Sequence, residues 1–294
     1  MGQLYLYNAY IPRPISTTHY RFEPVDNFEE GFKNFEQENR HSSITNFRST
    51  KVFENTNLNI SHAYFYPSQP KIWDYCAMLS LFQARTIFPF NDVEEGSDLF
   101  VRIGKTSSWS LLLAKEIEAE LDDAVKKLDS FSDRERYIFV KSLAFLFEGE
   151  LFTHYSDFKD VWYLQPLELF CKGIYCLDHN VTNHKNVPGN LKYKDYLKYA
   201  VQKYGFETQY TNSQSIEQFL KNIVDVRNWV MHGKVWECNV FNTRAEEFTF
   251  YHRVEALLKA FLFSYLDINK FENRDALIHG IALGNAITPI WVKD

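Results

Sequence analysis

The apolar residues of this chain keep two different periods, and the change from one to the other near residue 107 limits what it can fold into. Before that point they alternate as strands do: in "QLYLYN", Leu4 and Leu6 face one way and Tyr5 and Tyr7 the other. "LNISHAYFY" (58–66) puts Leu58, Ile60, His62, Tyr64 and Tyr66 on one face, and "DLFVRIG" (98–104) does the same with Leu99, Val101 and Ile103. Between them, "IWDYCAMLSLFQARTIF" (72–88) spaces Ile72, Tyr75, Cys76, Leu79, Phe82 and Gln83 at helical intervals, and Pro89 is its expected stop.

After residue 107 the period is 3.6. A helix is expected over 108–128, with Leu111, Leu112, Ile117, Leu121, Val125 and Leu128 apolar. The next opens with Ser132 and Glu135, a capping box, and continues through Tyr137, Val140, Leu143, Ala144, Phe147 and Leu151. A third, 158–178, contains Pro166, which should kink it or mark its start. "HNVTNHKNVPGN" (179–190) reads as loop and 191–204 as a short helix rich in Tyr and Lys. A helix from Ser213 or Ser215 to His232 follows. "TRAE" (243–246) caps another, with Tyr251, Val254, Leu258, Phe261 and Tyr265 on one stripe. The expected fold is mainly α: a smaller mixed α/β N-terminal module over 1–105, then a helical bundle over 106–294.

Composition narrows the function classes. A 45% hydrophobic content with 17% aromatics argues for packed structure. A net charge of -6 disfavours broad capture of nucleic acid, though not a local phosphate site. No apolar run reaches the ~20 residues that span a bilayer, and the first residues lack a basic leader, so no membrane partner is expected. Cys76, Cys171, Cys176 and Cys238 contain no CxxC and form no disulfide framework, which fits a reducing cytoplasm.

The stretch "DVRNWVMHG" (225–233) breaks the pattern of its own helix. On a wheel, Ile216, Phe219, Leu220, Ile223, Val226 and Val230 form the apolar face, and Glu217, Lys221, Asp225, Asn228 and His232 a polar stripe opposite. Arg227 falls in the middle of the apolar face. A guanidinium there needs a carboxylate, a partner chain or a phosphate. Gly233 supplies a stop, leaving His232 in the last turn, where a helix C-terminus favours the protonated imidazole. Spacing alone distinguishes nothing, because Arg13 with His19 and Arg274 with His279 have nearly the same one. On the residues alone, a structural ion pair with a capping histidine stands beside a functional site.

"RNWVMHG" resembles the R-x4-6-H motif of HEPN domains, and most of all the Apea-like HEPN proteins with their RN-x3-HG at a helix end. "WYLQPLELF" (162–170) is similar to the family segment that carries an internal Glu on an earlier helix, departing from it at Pro166, and "YCAMLSLFQA" (75–84) loosely resembles the region before the bundle. The resemblance covers residues 130–294 and only weakly 1–105. It implies a helical bundle that forms a homodimer, and a metal-independent endoribonuclease, often a toxin or antiphage effector, with no cofactor. Its implied catalytic residues are Arg227, Asn228 and His232, with Glu168 and Lys234 in substrate-binding or supporting positions. The residue types suit RNA: its 2′-OH can attack the adjacent phosphate, an imidazole can move the proton, and an arginine can stabilise phosphorane-like charge. Asn228 can hold the phosphate or fix the histidine tautomer. A twofold axis would let Arg227 point into an interface between two copies. The alternative is a non-catalytic module of the same kind, for dimerisation or for nucleotide or RNA binding.

Other candidates are weaker. Cys176, Asp178, His179 and His184 match no zinc spacing, so no metal is expected. "GKTSS" (104–108) lacks the upstream glycine of a phosphate loop, that position being Phe100. No nucleophile elbow is present.

Overall fold

The computed structural model describes residues 4–7, 9–26, 48–54, 71–84, 87–91, 111–151, 159–182, 186, 191–206, 216–231 and 240–283. These residues are mainly helical, and the chain divides after Ser130 into two compact units.

The first unit holds strands β1 (Leu4–Tyr7), β2 (Ile15–Ser16), β3 (Tyr20–Pro24), β4 (Arg48–Glu54) and β5 (Phe88–Asn91), with helices α1 (Ile72–Gln83) and α2 (Ala114–Ser130). The strands form one antiparallel sheet in the order β2-β3-β4-β1-β5. Leu6, Ile15 and Phe22 are fully buried, as the alternation of a half-covered sheet requires. Helix α1 lies against this core: the Tyr75 ring meets Tyr20 edge-on at 5.3 Å and Phe22 at 5.8 Å. All six apolar-face residues expected of α1 are buried. The segments 58–66 and 98–104, expected as strands, lie outside the described residues.

Helix α1 is shorter than its sequence period suggests. It ends at Gln83, where Ala84 turns into the left-handed region with φ 48°, and Pro89 belongs to β5 rather than to a helix end. The physical reason is placement. Among the described residues β5 is an edge strand pairing only with β1, and an edge tolerates a residue that cannot donate to the ladder. Gln83, fully buried, imitates a backbone pair: its amide oxygen accepts from Tyr10 N–H at 2.7 Å and its amide nitrogen donates to Tyr10 C=O at 2.8 Å. Helix α2 starts at Ala114, later than its period predicted, because Leu111 and Leu112 spend their N–H groups on the Phe82 carbonyl. Its apolar positions are buried as expected.

The second unit is built of α3 (Asp133–Leu151), α4 (Lys159–Asp178), α5 (Tyr193–Lys203), α6 (Ile216–Met231), α7 (Arg244–Tyr265) and α8 (Arg274–Leu283). The α3 capping box is present: Glu135 accepts from Ser132 N–H at 2.8 Å while the Ser132 hydroxyl accepts from Glu135 N–H at 3.3 Å. Thr243 caps α7 through Glu246 N–H, but the Glu246 carboxylate takes Asn242 N–H rather than that of the capping residue. Tyr137, expected on the buried side of α3, is 60% exposed; Ile138, Phe139, Leu143 and Leu146 form that side instead. Helix α4 runs straight through Pro166 in sequence, so the proline marks no start.

Helix α4 is the hub, touching α3, α5, α6 and α7. It packs closely on α3 at Gly173, where an added Cβ would lie 2.7 Å from an Ile138 methyl. Phe170 stacks on Phe261 of α7 at 5.9 Å and 11°. Helix α7 is buried from Arg253 to Phe263, its charged residues Arg253, Glu255 and Lys259 included. Arg253 donates to the Ile281 carbonyl of α8 at 2.7 Å and lies over the Phe219 ring of α6 at 4.0 Å. Lys259 pairs with Glu255 one turn earlier, so neither charge is left without a partner inside the unit.

Candidate functional site

The cation on the apolar face of α6 has its carboxylate. Phe219, Leu220, Ile223 and Val226 are buried as the wheel required, which turns that face of α6, and Arg227 with it, toward α4 and α5. There Arg227 and Glu168 form a two-bond fork: Nε donates to Oε2 at 2.9 Å and Nη2 to Oε1 at 2.9 Å. Charge-assisted, paired bonds of this kind fix direction as well as distance. Nη1 donates to the Asn228 side-chain oxygen at 3.3 Å. The three bonds engage three of the five N–H groups a guanidinium carries, leaving two outside them. Both charged side chains keep some water, Arg227 being 24% exposed and Glu168 26%.

Two neighbours complete the surroundings. The Tyr193 ring, from the first residue of α5, lies 5.8 Å from the guanidinium carbon, within cation–π range. Its hydroxyl is buried and has no hydrogen-bond partner among the described residues, and burial holds that hydroxyl well above the ordinary tyrosine range. Cys171, one turn after Glu168 on α4, is fully buried. Burial first and the Glu168 charge second push its thiol upward, so it stays protonated and inert.

Of the residues the sequence singled out, the structure brings together Arg227, Asn228 and Glu168. His232, Gly233 and Lys234 lie outside the described residues; α6 is described as far as Met231, which is 53% exposed. The Arg227 guanidinium, for which a carboxylate, a partner chain and a phosphate were all open as the counter-group, is held by a carboxylate of its own chain, because α4 presents Glu168 to the same face of α6. Tyr193 was missed. The Tyr- and Lys-rich character of its segment was visible, but nothing in the sequence tied that segment to Arg227.

The remaining candidates find ordinary partners. Arg13 pairs with Glu118 at 3.3 Å with both side chains about half exposed. Arg274 opens α8. Asp178 accepts from the Tyr199 hydroxyl at 2.7 Å and from Lys203 at 2.6 Å, and His179 Nδ1 lies 2.9 Å from the Tyr175 carbonyl. Among the described residues no group of three or more His, Cys, Asp or Glu is placed to hold a metal ion, and His184 and "GKTSS" lie outside them. Cys76, Cys171 and Cys176 are buried free thiols. No helix among the described residues is long and apolar enough to cross a membrane. Comparison with family models, with curated proteins and with solved structures found no match to this chain.

Proposed function

We propose that this protein is a metal-independent endoribonuclease of HEPN type, acting as a homodimer on single-stranded or looped RNA, in a defence or toxin role. The observation that supports it most is the guanidinium of Arg227, locked by Glu168 one turn before the described end of α6. His232 follows in sequence immediately after that end. In the reaction the RNA 2′-oxygen attacks the neighbouring phosphorus, a base takes the 2′ proton, and the 5′-oxygen leaves with a proton from an acid. Arg227, with two N–H groups outside its internal bonds, stabilises the charge gathering on the phosphoryl oxygens. His232 moves a proton, and Asn228 positions either the phosphate or the arginine. Lys234, two residues after His232 in sequence, adds a positive charge. A second copy of the chain would double these groups across a twofold axis.

The engaged edge of Arg227 also favours a second reading, in which the Arg227–Glu168 pair pins α4 to α6 and the module binds without cutting. Labelled single-stranded RNA incubated in EDTA separates the two. Wild type should cut, His232→Ala should lose about 10²–10⁴-fold in rate, and Arg227→Ala should lose activity as well. Arg274→Ala and His279→Ala, the pair of similar spacing on α8, should retain it. Cleavage surviving both His232→Ala and Arg227→Ala, or no cleavage by wild type, refutes the nuclease reading. A strictly monomeric mass in solution refutes the composite site.

A further inference from the structure

Helix α5 begins at the Arg227 site and carries the chemistry of a nucleic-acid track. We propose that its solvent face, with the aromatic stack at the end of α4, binds the backbone and bases of single-stranded RNA. This rests on RNA as the ligand, not on cleavage. Four lysines, Lys192, Lys194, Lys198 and Lys203, fall within or beside this one helix against a single Asp195, in a chain whose net charge is -6. Lys192, Lys194 and Lys203 are exposed and Lys198 half-buried, while Tyr193, Tyr196, Leu197, Ala200 and Val201 take the inner side. Of these four lysines only Lys203 is in an ion pair among the described residues, with Asp178. Lysines that neutralise no carboxylate among the described residues are the ones that release counterions when a phosphate arrives.

The helix begins beside the candidate site. Tyr193, at its start, lies against the Arg227 guanidinium, and α5 packs on both α4 and α6. At about 1.5 Å per residue, the 11 residues of α5 extend on the order of 16 Å from that point. Beyond the first turns comes a stack of rings. His179, exposed, lies on Tyr175 at 4.0 Å and 16°, and Tyr199 meets both edge-on at 5.2 and 5.3 Å. The Tyr199 hydroxyl donates to Asp178, and burial together with that carboxylate lifts its pKa to about 12, so it stays neutral beside a phosphate chain. Lysines tracking a backbone, with aromatic rings for bases, are the two parts of sequence-tolerant single-strand binding.

The test uses the full chain carrying His232→Ala, so that bound RNA stays intact, and follows fluorescence anisotropy of a labelled uridine-rich single strand across a salt series. Lys192→Gln, Lys194→Gln and Lys198→Gln together should lower the slope of log affinity against log salt by about 2, at roughly 0.7 for each phosphate no longer neutralised. His179→Ala should weaken binding roughly tenfold with the slope unchanged. Lys141→Gln with Lys270→Gln, exposed lysines elsewhere in the same unit, should change neither. A slope untouched by the α5 triple variant overturns the proposal, as does an absence of RNA binding by the starting protein. RNA binding that depends on α5 without cleavage by wild type leaves the track standing and removes the nuclease. Cleavage by wild type with binding indifferent to α5 does the reverse.

Discussion

Replacing Glu168 by Gln removes one charge and one acceptor from the fork while keeping shape. The magnitude follows from burial. A fully buried ion pair broken on one side costs about 3–5 kcal/mol, and an exposed one about 0–1. Arg227 and Glu168 are 24% and 26% exposed, with two bonds at 2.9 Å. The Gln variant keeps one acceptor and loses the charge, so the expected cost lies between those limits, at about 2 kcal/mol. The assay is urea unfolding followed by far-UV circular dichroism, with Arg227→Met, Glu168→Met and the double variant closing a cycle. Each single Met variant should cost more than the pair together, because each strands a part-buried charge that the other removes. The exposed pair Arg13–Glu118, at 3.3 Å with both side chains about half exposed, is the internal reference: Glu118→Gln should cost no more than about 0.5 kcal/mol. A coupling energy for Arg227 and Glu168 no larger than that reference would refute the reasoning, since the fork would then be held no better than a surface contact. The double Met variant serves a second purpose. If it folds normally yet cannot cut or bind RNA, the guanidinium was doing more than holding helices together.

Gly173→Ala should destabilise the second unit by about 1–2 kcal/mol in urea, the overpacking of a Cβ set 2.7–2.9 Å from three Ile138 atoms exceeding the ~1 kcal/mol gain in helix propensity; adding Ile138→Val should recover part of it, and a stabilised Gly173→Ala alone would contradict the close crossing. Tyr193→Phe should raise stability by up to about 1 kcal/mol, since its buried hydroxyl has no partner among the described residues, whereas Tyr193→Leu should lower it; loss of stability in the Phe variant would mean the hydroxyl is satisfied in solution. Asp122 gives the first unit an acid limit. Burial pushes its carboxyl up, but the Thr18 hydroxyl, the Tyr75 hydroxyl, the Thr18 N–H and Lys126 together hold it below the ordinary value of 3.8. A depressed folded pKa contributes stability that is present above the unfolded value and lost as pH falls through the folded one. The stability difference between wild type and Asp122→Asn should therefore be constant near neutrality and shrink below about pH 4; a difference that persists unchanged at low pH would show that Asp122 is not ionised in the fold.

What could be read from the sequence divides by distance along the chain. Ser132 and Glu135, three residues apart, announce the start of α3 because every atom of that cap is local. The apolar face of α6 is equally local, and the burial of Phe219, Leu220, Ile223 and Val226 follows from it. Pro89 was ambiguous for the same reason that made it conspicuous: a proline ends a helix and also sits on a sheet edge, and only the pairing of β5 with β1 decides between them. The burial of α7 left a local trace that a single stripe understates. "VEALLKAFLF" (254–263) has apolar residues on every side, the mark of a helix enclosed all round; its Glu255 and Lys259, one turn apart, supply each other's partner.

The candidate site was half legible, and the missing half is a matter of tertiary contact. The wheel isolates Arg227 as a cation on the wrong face and demands a counter-charge, but it cannot choose among a carboxylate of the same chain, a second chain and a phosphate. Glu168 lies 59 residues earlier, on a helix whose internal Pro166 obscured its register. Once α4 supplies that carboxylate, the interface between copies is no longer needed to explain why Arg227 sits where it does. The demand for a partner is met, and what remains for function is the part of the guanidinium that the demand did not consume. Glu168 takes the Nε–Nη2 edge and Asn228 one N–H of Nη1. Enclosing this arginine fully would strip water from a charge and bury its two remaining N–H groups without acceptors. It stays a quarter exposed, with Nη1 and Nη2 each keeping an N–H, at the origin of the lysine-bearing helix α5. On the proposed reading, those remaining donors are the ones that would meet a phosphate.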